Sequence, residues 1–188
     1  MVAQVTYLFG AEPAEDTKKS ADGGAPDKAR RRAENVSLNG LTRRNLSRWE
    51  IEKLLTSRDV AEDVIAAEVE RLESVGLIDD EALAETLVRT QRERKGLGRQ
   101  ALIAELRRRH IDQEIIDAAI ETDDGGDAEQ ERANELAEKK ARSLSSYDQE
   151  TAKRRLTGFL MRKGYSSSVV RTATNAALGG RSSGVQFR

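Results

Sequence analysis

The side chains that could take part in chemistry are few, and they do not assemble into an active site. His110 is the single histidine in 188 residues, and it directly follows the three arginines at positions 107–109. An imidazole beside three cations is a poor base, whereas a basic residue at the end of a helix complements the helix dipole, so we predict the second role. The chain has no cysteine, which excludes disulfides, thiolate metal sites and a cysteine nucleophile.

Two further motifs resemble binding loops but fail on their spacing. Asp123, Asp124 and Asp127 could open a calcium loop, yet the twelfth position counted from Asp123 is Asn134 instead of a glutamate. The glycines within residues 95–99 follow neither the dinucleotide fingerprint nor the phosphate-loop pattern. No serine stands in a nucleophile-elbow motif. We therefore predict a protein that is not an enzyme, with no cofactor and no metal.

The distribution of charge is more informative than its total. The chain has 32 Lys and Arg against 33 Asp and Glu, a net charge of −1. Residues 34–78 sum to −3, residues 79–128 to −5 and residues 129–188 to +6. Inside the acidic middle segment, residues 89–109 form a basic island with eight Lys or Arg against two Glu. Two basic stripes on one body predict contact with a polyanion or an acidic protein groove, although part of this charge complements helix dipoles.

The candidate partner-binding residues are the lysines and arginines of these two stripes. The first stripe contributes Arg89, Arg92, Arg94, Lys95, Arg99, Arg107, Arg108 and Arg109. The second contributes Lys139, Lys140, Arg142, Arg154, Arg155, Arg162 and Lys163. Trp49, beside the apolar line of its helix, is either a packing residue or a further partner contact.

The elements that would carry these residues are helices. Hydrophobic residues make up 37% of the chain and charged residues 35%, so the apolar side chains must lie on narrow stripes. Aromatics are only 4%, and both prolines fall within the first 26 residues, which argues against a sandwich or barrel. The fold class predicted is all-α.

The helices recur as repeats of about 50 residues. The apolar positions Leu102, Leu106, Ile111, Ile115 and Ile116 return 54 residues later as Leu156, Leu160, Tyr165, Val169 and Val170. They also occur 51 residues earlier as Ile51, Leu55, Val60, Val64 and Ile65. We predict three tandem three-helix repeats that form an elongated, curved body. The division is a disordered tail at 1–33, repeats at 34–78, 79–122 and 129–180, a linker at 123–128 and a C-terminal tail at 181–188.

The expected location follows from what the sequence lacks. No apolar run approaches the roughly 20 residues that span a bilayer. The first ten residues have no basic region ahead of an apolar stretch, so no secretory signal is expected. We expect a cytoplasmic monomer that contacts no membrane.

Several separated segments, in order, resemble the signature of the RecX family, which regulates the RecA recombinase. They are GLIDDEALA at 76–84, RKG at 94–96, LAEKKAR at 136–142 and RLTGFLMRKGYS at 155–166, and the resemblance spans roughly 45–178. Leu83 stands where the family usually has an aromatic residue, and Arg109 and His110 replace the commoner Lys-Gly before the turn.

The resemblance implies an all-helical, crescent-like protein that lies along the groove of the RecA–DNA filament. Such a protein would restrain the recombinase, co-protease and ATPase activities of RecA in DNA repair and the SOS response, without an ATPase of its own. A direct nucleic-acid-binding helical module is the alternative, since helix-turn-helix pairs with basic flanks occur in DNA readers. A weak DNA contact is compatible with both. A third hypothesis is that the protein is a structural scaffold of helical repeats and has no charged partner.

Overall fold

The computed structural model describes residues 24–123 and 128–179, and the folded elements there are all α-helices. The predicted linker lies mostly outside these residues, and residues 1–23 and 180–188 of the predicted tails lie outside them entirely. In the described ranges the helices are α1 (Gly24–Leu41), α2 (Arg48–Thr56), α3 (Glu62–Ser74), α4 (Asp80–Lys95), α5 (Arg99–Arg108), α6 (Gln113–Asp123), α7 (Ala128–Arg142), α8 (Gln149–Arg162) and α9 (Ser167–Gly179). The all-α prediction is confirmed.

The helices group into three units of three. Helices α1–α3 form unit 1, α4–α6 form unit 2 and α7–α9 form unit 3, and the extensive helix packing occurs within each unit. Each unit also has its own apolar core. Because each core is small and the units follow one another along the chain, the body is built as a series rather than around one central core.

The repeat register read from the sequence matches the packing. Ile51 and Leu55 in α2, Leu102 and Leu106 in α5, and Leu156 and Leu160 in α8 are all at most 1% exposed. In the helices that follow, Ile116 and Val170 are buried, while their counterpart Ile65 packs partly exposed against its core. The prediction of three three-helix repeats is confirmed.

Helix α1 begins earlier than the sequence indicated. It starts at Gly24, so residues 24–33, which were assigned to the tail, are helical. Pro26 lies in the first turn, where a missing backbone N–H breaks no intrahelical bond. Further along α1, Ala33 is fully buried in the core of unit 1. Gly40 lets α1 approach α2, since a methyl group there would lie 2.8 Å from Leu54 Cδ2.

Each unit turns between its second and third helices at a residue in the left-handed conformation. These residues are Asp59 (φ 56°), His110 (φ 54°) and Gly164 (φ 86°), which occupy equivalent positions in the three repeats. Glycine adopts this conformation freely, whereas His110 and Asp59 adopt it at a steric cost. His110 therefore lies one residue beyond the C-cap of α5, in the turn.

No helix in the described ranges is long and apolar enough to cross a membrane.

Candidate partner-binding cleft

The first junction, between units 1 and 2, joins the start of α2 to the turn after α5. Ser47 caps α2 and forms a capping box with Glu50. The Ser47 hydroxyl also donates to the carbonyl oxygen of Arg109 at 2.8 Å. The backbone N–H of Arg48 donates to Asp80 Oδ1 at 3.0 Å, which ties the same helix start to α4.

Arg109 and Glu50 form the ion pair at the centre of this first junction. The guanidinium of Arg109 lies 2.6 Å from Glu50 Oε2, and the two side chains are 12% and 15% exposed. Burial alone would raise the pKa of Glu50, but hydrogen bonds from Arg109, Arg44 and the backbone of Ser47 lower it to about 2. Arg109, predicted as a partner-binding residue, thus holds two units together.

Trp49 and His110 meet at the same junction. Their rings are stacked with centroids 3.6 Å apart and planes 19° apart, and Lys53 Nζ lies 4.6 Å from the indole centroid. The structure therefore gives Trp49 a packing role between units. It also gives His110 a ring partner, which the helix-dipole interpretation of this residue did not include.

The second junction, between units 2 and 3, repeats this plan with different residues. The backbone N–H of Gly98, which caps α5, donates to the carbonyl of Lys163 at 2.8 Å. The backbone N–H of Gln100 donates to the carbonyl of Gly164 at 3.1 Å. The backbone N–H of Arg99 donates to Glu129 Oε1 at 2.9 Å, as that of Arg48 does to Asp80.

A cleft of about 440 Å³ lies across the second junction, and we call it the junction cleft. Its charged lining comprises six cations and two carboxylates: Arg92, Arg94, Lys95, Arg132, Lys139 and Lys163, with Glu93 and Glu135. The cations of unit 2 come from α4, and those of unit 3 come from α7 and from Lys163, which directly follows α8. The structure therefore brings part of both predicted basic stripes into one concave surface, which suits an anionic partner.

Tyr165 forms the apolar floor of the junction cleft. Its ring is 1% exposed and packs in the core of unit 3. Burial raises the pKa of the Tyr165 phenol, and the charge of Glu129 raises it further, whereas Arg132 and Arg92 oppose that rise. The phenol is therefore neutral at physiological pH, and the charge of the cleft comes from its lysines and arginines.

The other predicted residues divide between internal contacts and exposed surface. Arg92 is 7% exposed, so most of its guanidinium is inside the protein. Arg107 donates to Gln113, Arg108 pairs with Glu105, and Arg155 lies 4.1 Å from the Tyr147 ring. Lys140 lies over the Phe159 ring, and Lys163 Nζ donates to the carbonyl of Lys95. Arg89, Arg142, Arg154 and Arg162 also lie outside the cleft lining and are exposed.

The described part of the chain holds no cluster of His, Asp and Glu arranged for a metal ion. The side chains of Asp123, Asp124 and Asp127 lie outside the part of the chain that the structure describes. The calcium-loop motif was rejected on its spacing, and the geometry described here adds no metal-binding arrangement elsewhere.

Family comparisons match the second and third units separately. Residues 79–120 match the family model described as the second three-helix domain of RecX, and residues 127–174 match the one described as its third three-helix domain. These bounds coincide closely with α4–α6 and α7–α9.

Relatives and solved structures agree over most of the chain. It is 38% identical over 172 residues to the regulatory protein RecX of Mycolicibacterium vanbaalenii, covering 88% of this chain and 93% of that protein. It is 42% identical over 141 residues to that of Mycolicibacterium smegmatis, covering 73% and 74%. The crystal structure of RecX from Lactobacillus salivarius superposes with a TM-score of 0.71 at 27% identity, covering 80% of this chain and 97% of that one.

Proposed function

The chain belongs to the RecX family of regulatory proteins, and from that premise we propose that it binds the RecA nucleoprotein filament in its groove. Bound there, it inhibits the ATPase, recombinase and co-protease activities of RecA in DNA repair and the SOS response. The proposal also includes a cytoplasmic location, where the RecA filament forms, and a monomeric state. The observation that supports it best is the junction cleft, which collects cations of both stripes between two units.

The division into units supports binding along a filament rather than at a point. Units 1, 2 and 3 are linked in series through two junctions of similar plan, so their surfaces are held at fixed relative positions. Contacts made by linked units to neighbouring filament subunits add up as avidity, even where each contact is weak. A ligand that spans subunits favours the filament state whose spacing it fits, and only through that difference in affinity.

Exposed cations of the junction cleft are the proposed contact residues. Arg94 and Lys95 are exposed at the end of α4, and Lys139 is exposed on α7. The ion pair between Lys139 and Glu135 is 3.8 Å long with both side chains over 70% exposed, so it holds Lys139 only weakly. These side chains can therefore turn toward an acidic protein surface or a phosphate without breaking the fold.

The charge of the third helices weakens the alternative of a DNA-reading module. A helix-turn-helix protein places the second helix of the pair in the major groove. Here α3 carries five acidic residues and one arginine, and α6 carries four acidic residues and no basic one. Two of the three candidate recognition helices would repel the phosphate backbone.

The test of the proposed function is a titration of the chain into RecA on single-stranded DNA. We expect inhibition of ATP hydrolysis and strand exchange at or below stoichiometric amounts. A folded sample that changes neither activity contradicts the proposal. A gel shift of the chain alone on single- and double-stranded DNA over a salt series tests the alternative, which requires tight binding with a steep salt dependence.

A further inference from the structure

Unit 3 carries a groove on the side of α8 and α9, separate from the junction cleft. Its volume is about 410 Å³, and most of its lining surface is contributed by apolar atoms, although Met161 and Val170 are its only apolar lining residues among those that the structure describes. Thr157 of α8 and Thr174 of α9 also line it. The lining side chains recur every three or four residues, so the groove runs along the two helices, a shape that accepts another helix.

Thr174 departs from the repeat pattern at the base of this groove. The equivalent residues are Val69 in unit 1 and Ile120 in unit 2, and all three are at most 2% exposed. In unit 3 the position is therefore a buried hydroxyl where the other units have hydrocarbon. Thr174 Oγ1 has no hydrogen-bond partner within the described chain. A buried polar group without a partner is unfavourable, so its presence points to a bond made in another state.

Met161 is the second departure. It is 47% exposed, while the equivalent residues of the other units are the polar Thr56 and Arg107. A thioether side chain is flexible and polarisable, and it adapts to varied apolar partners. An exposed methionine above a buried hydroxyl gives the groove both an apolar contact and a specific polar one.

The charges at the groove define its partner. Lys153 and Arg171 line it, and none of the residues that line it is acidic. Lys153 has arginines as counterparts in the other repeats, but Arg171 is matched by Ala66 in unit 1 and by Asp117 in unit 2. The positive charge on the α9 side is thus specific to unit 3, and it complements a negatively charged ligand.

We propose that this groove binds an amphipathic helix of a partner protein whose apolar face is flanked by acidic residues. The apolar face contacts Met161 and Val170, the acidic residues pair with Lys153 and Arg171, and a polar group of the helix satisfies the Thr174 hydroxyl. This site is independent of the junction cleft, so RecA inhibition through that cleft can hold or fail separately.

The test uses methyl NMR, because the chain has only two methionines, Met1 and Met161. The protein is labelled at the methionine methyl groups, and Met161→Leu assigns the signal. The probe is a synthetic helical peptide of about five turns, with leucines at helical spacing and glutamates elsewhere. A second peptide replaces every glutamate with lysine. We expect the acidic peptide to shift the Met161 signal saturably and the lysine peptide to leave it unchanged.

Two variants separate binding from folding. The double substitution Lys153→Glu, Arg171→Glu should weaken binding of the acidic peptide by about three- to tenfold. The distant pair Lys28→Glu, Arg43→Glu should leave that binding unchanged. Thr174→Val restores the residue type of the other units. It should therefore raise the melting temperature of the protein and weaken binding of the acidic peptide. Equal shifts with both peptides, or no shift with either, overturn the proposal. If the Met161 signal shifts with the concentration of the protein in the absence of peptide, the groove binds a second copy of this chain, and the proposal is also overturned.

Discussion

Gly98 and Gly164 approach each other so closely that neither position has room for a side chain. A methyl group on Gly98 would lie 2.8 Å from the carbonyl carbon of Gly164, and one on Gly164 would overlap Cβ and the backbone of Ala101 in α5. The backbone bonds from Gly98 to Lys163 and from Gln100 to Gly164 form at this contact. The second junction is therefore a direct backbone contact, and the junction cleft depends on it.

Replacing Gly98 tests how much this backbone contact contributes to the stability of the protein. Gly98→Ala should lower the free energy of unfolding by about 1–3 kcal/mol, the range for overpacking a close contact. Gly179→Ala is the matched control, because nothing lies within 4 Å of a methyl group there. Thermal unfolding followed by circular dichroism measures both. Equal melting temperatures for the two variants would show that the junction yields without cost.

His110 combines an unfavourable backbone conformation with a ring contact to Trp49, and two substitutions separate these effects. His110→Gly removes the stack and relieves the left-handed strain, whereas His110→Ala removes the stack and keeps the strain. We expect the alanine variant to be less stable than the glycine variant by about 1 kcal/mol. Trp49 is the single tryptophan, so its fluorescence should change in both variants. Equal stability of the two would contradict the role assigned to the backbone.

The Glu50–Arg109 pair predicts a pH dependence of stability. The pKa of Glu50 is about 2 in the folded chain against an ordinary value of 4.5. The stabilisation is therefore complete above pH 4.5 and is lost as the pH falls toward 2. Arg109→Gln should lower stability clearly at about pH 6 and much less at about pH 2.5, measured by urea unfolding.

Arg48→Gln provides the comparison for that experiment. Arg48 is 55% exposed and pairs with Glu52 and Glu73 on the surface, so its loss should change stability by about 0–1 kcal/mol. A loss for Arg109→Gln that is the same at both pH values would mean that the pair does not set the low pKa of Glu50.

The three consecutive arginines should behave differently from one another. Arg107 bonds Gln113, and Arg108 pairs with Glu105 while 73% exposed, so both lie on the surface. Reversing Arg107 and Arg108 to Glu should leave the melting temperature within a few degrees. Adding Arg109→Glu should lower it sharply, because two carboxylates would then face each other in a half-buried site. A triple variant as stable as the double would show that the first junction does not depend on this pair.

The repeats could be predicted because the 3.6-residue period and the breaks between helices recur in sequence. Ser47, Asp79 and Asp148 are residue types that favour N-caps, and in the structure they cap α2, α4 and α8. The start of α1 was missed, since Pro26 and the polar composition around it are equally typical of a tail. Ala33 is buried by tertiary packing, which no local pattern records.

The site could be predicted only in part. Charge patterning identified five of the six cations that line the junction cleft and missed Arg132, and it did not show that Arg94 and Lys139 approach from different units. It also could not separate Arg109, whose partner Glu50 is 59 residues away, from its exposed neighbours. The replacement of the commoner glycine by His110 was visible in sequence, whereas its stack on Trp49 depends on the contact between units.

The most direct test of the central claim is RecA ATP hydrolysis on single-stranded DNA, titrated with the wild-type chain and with Arg94→Glu, Lys139→Glu. The account predicts that the wild type inhibits and that the double variant needs about tenfold more protein, as expected for the loss of two cation contacts of roughly 0.7 kcal/mol each. The control pair Lys28→Glu, Arg43→Glu carries the same charge change away from the cleft and should inhibit like the wild type. Inhibition by the cleft variant at the wild-type concentration, with both variants folded, would contradict binding through the junction cleft.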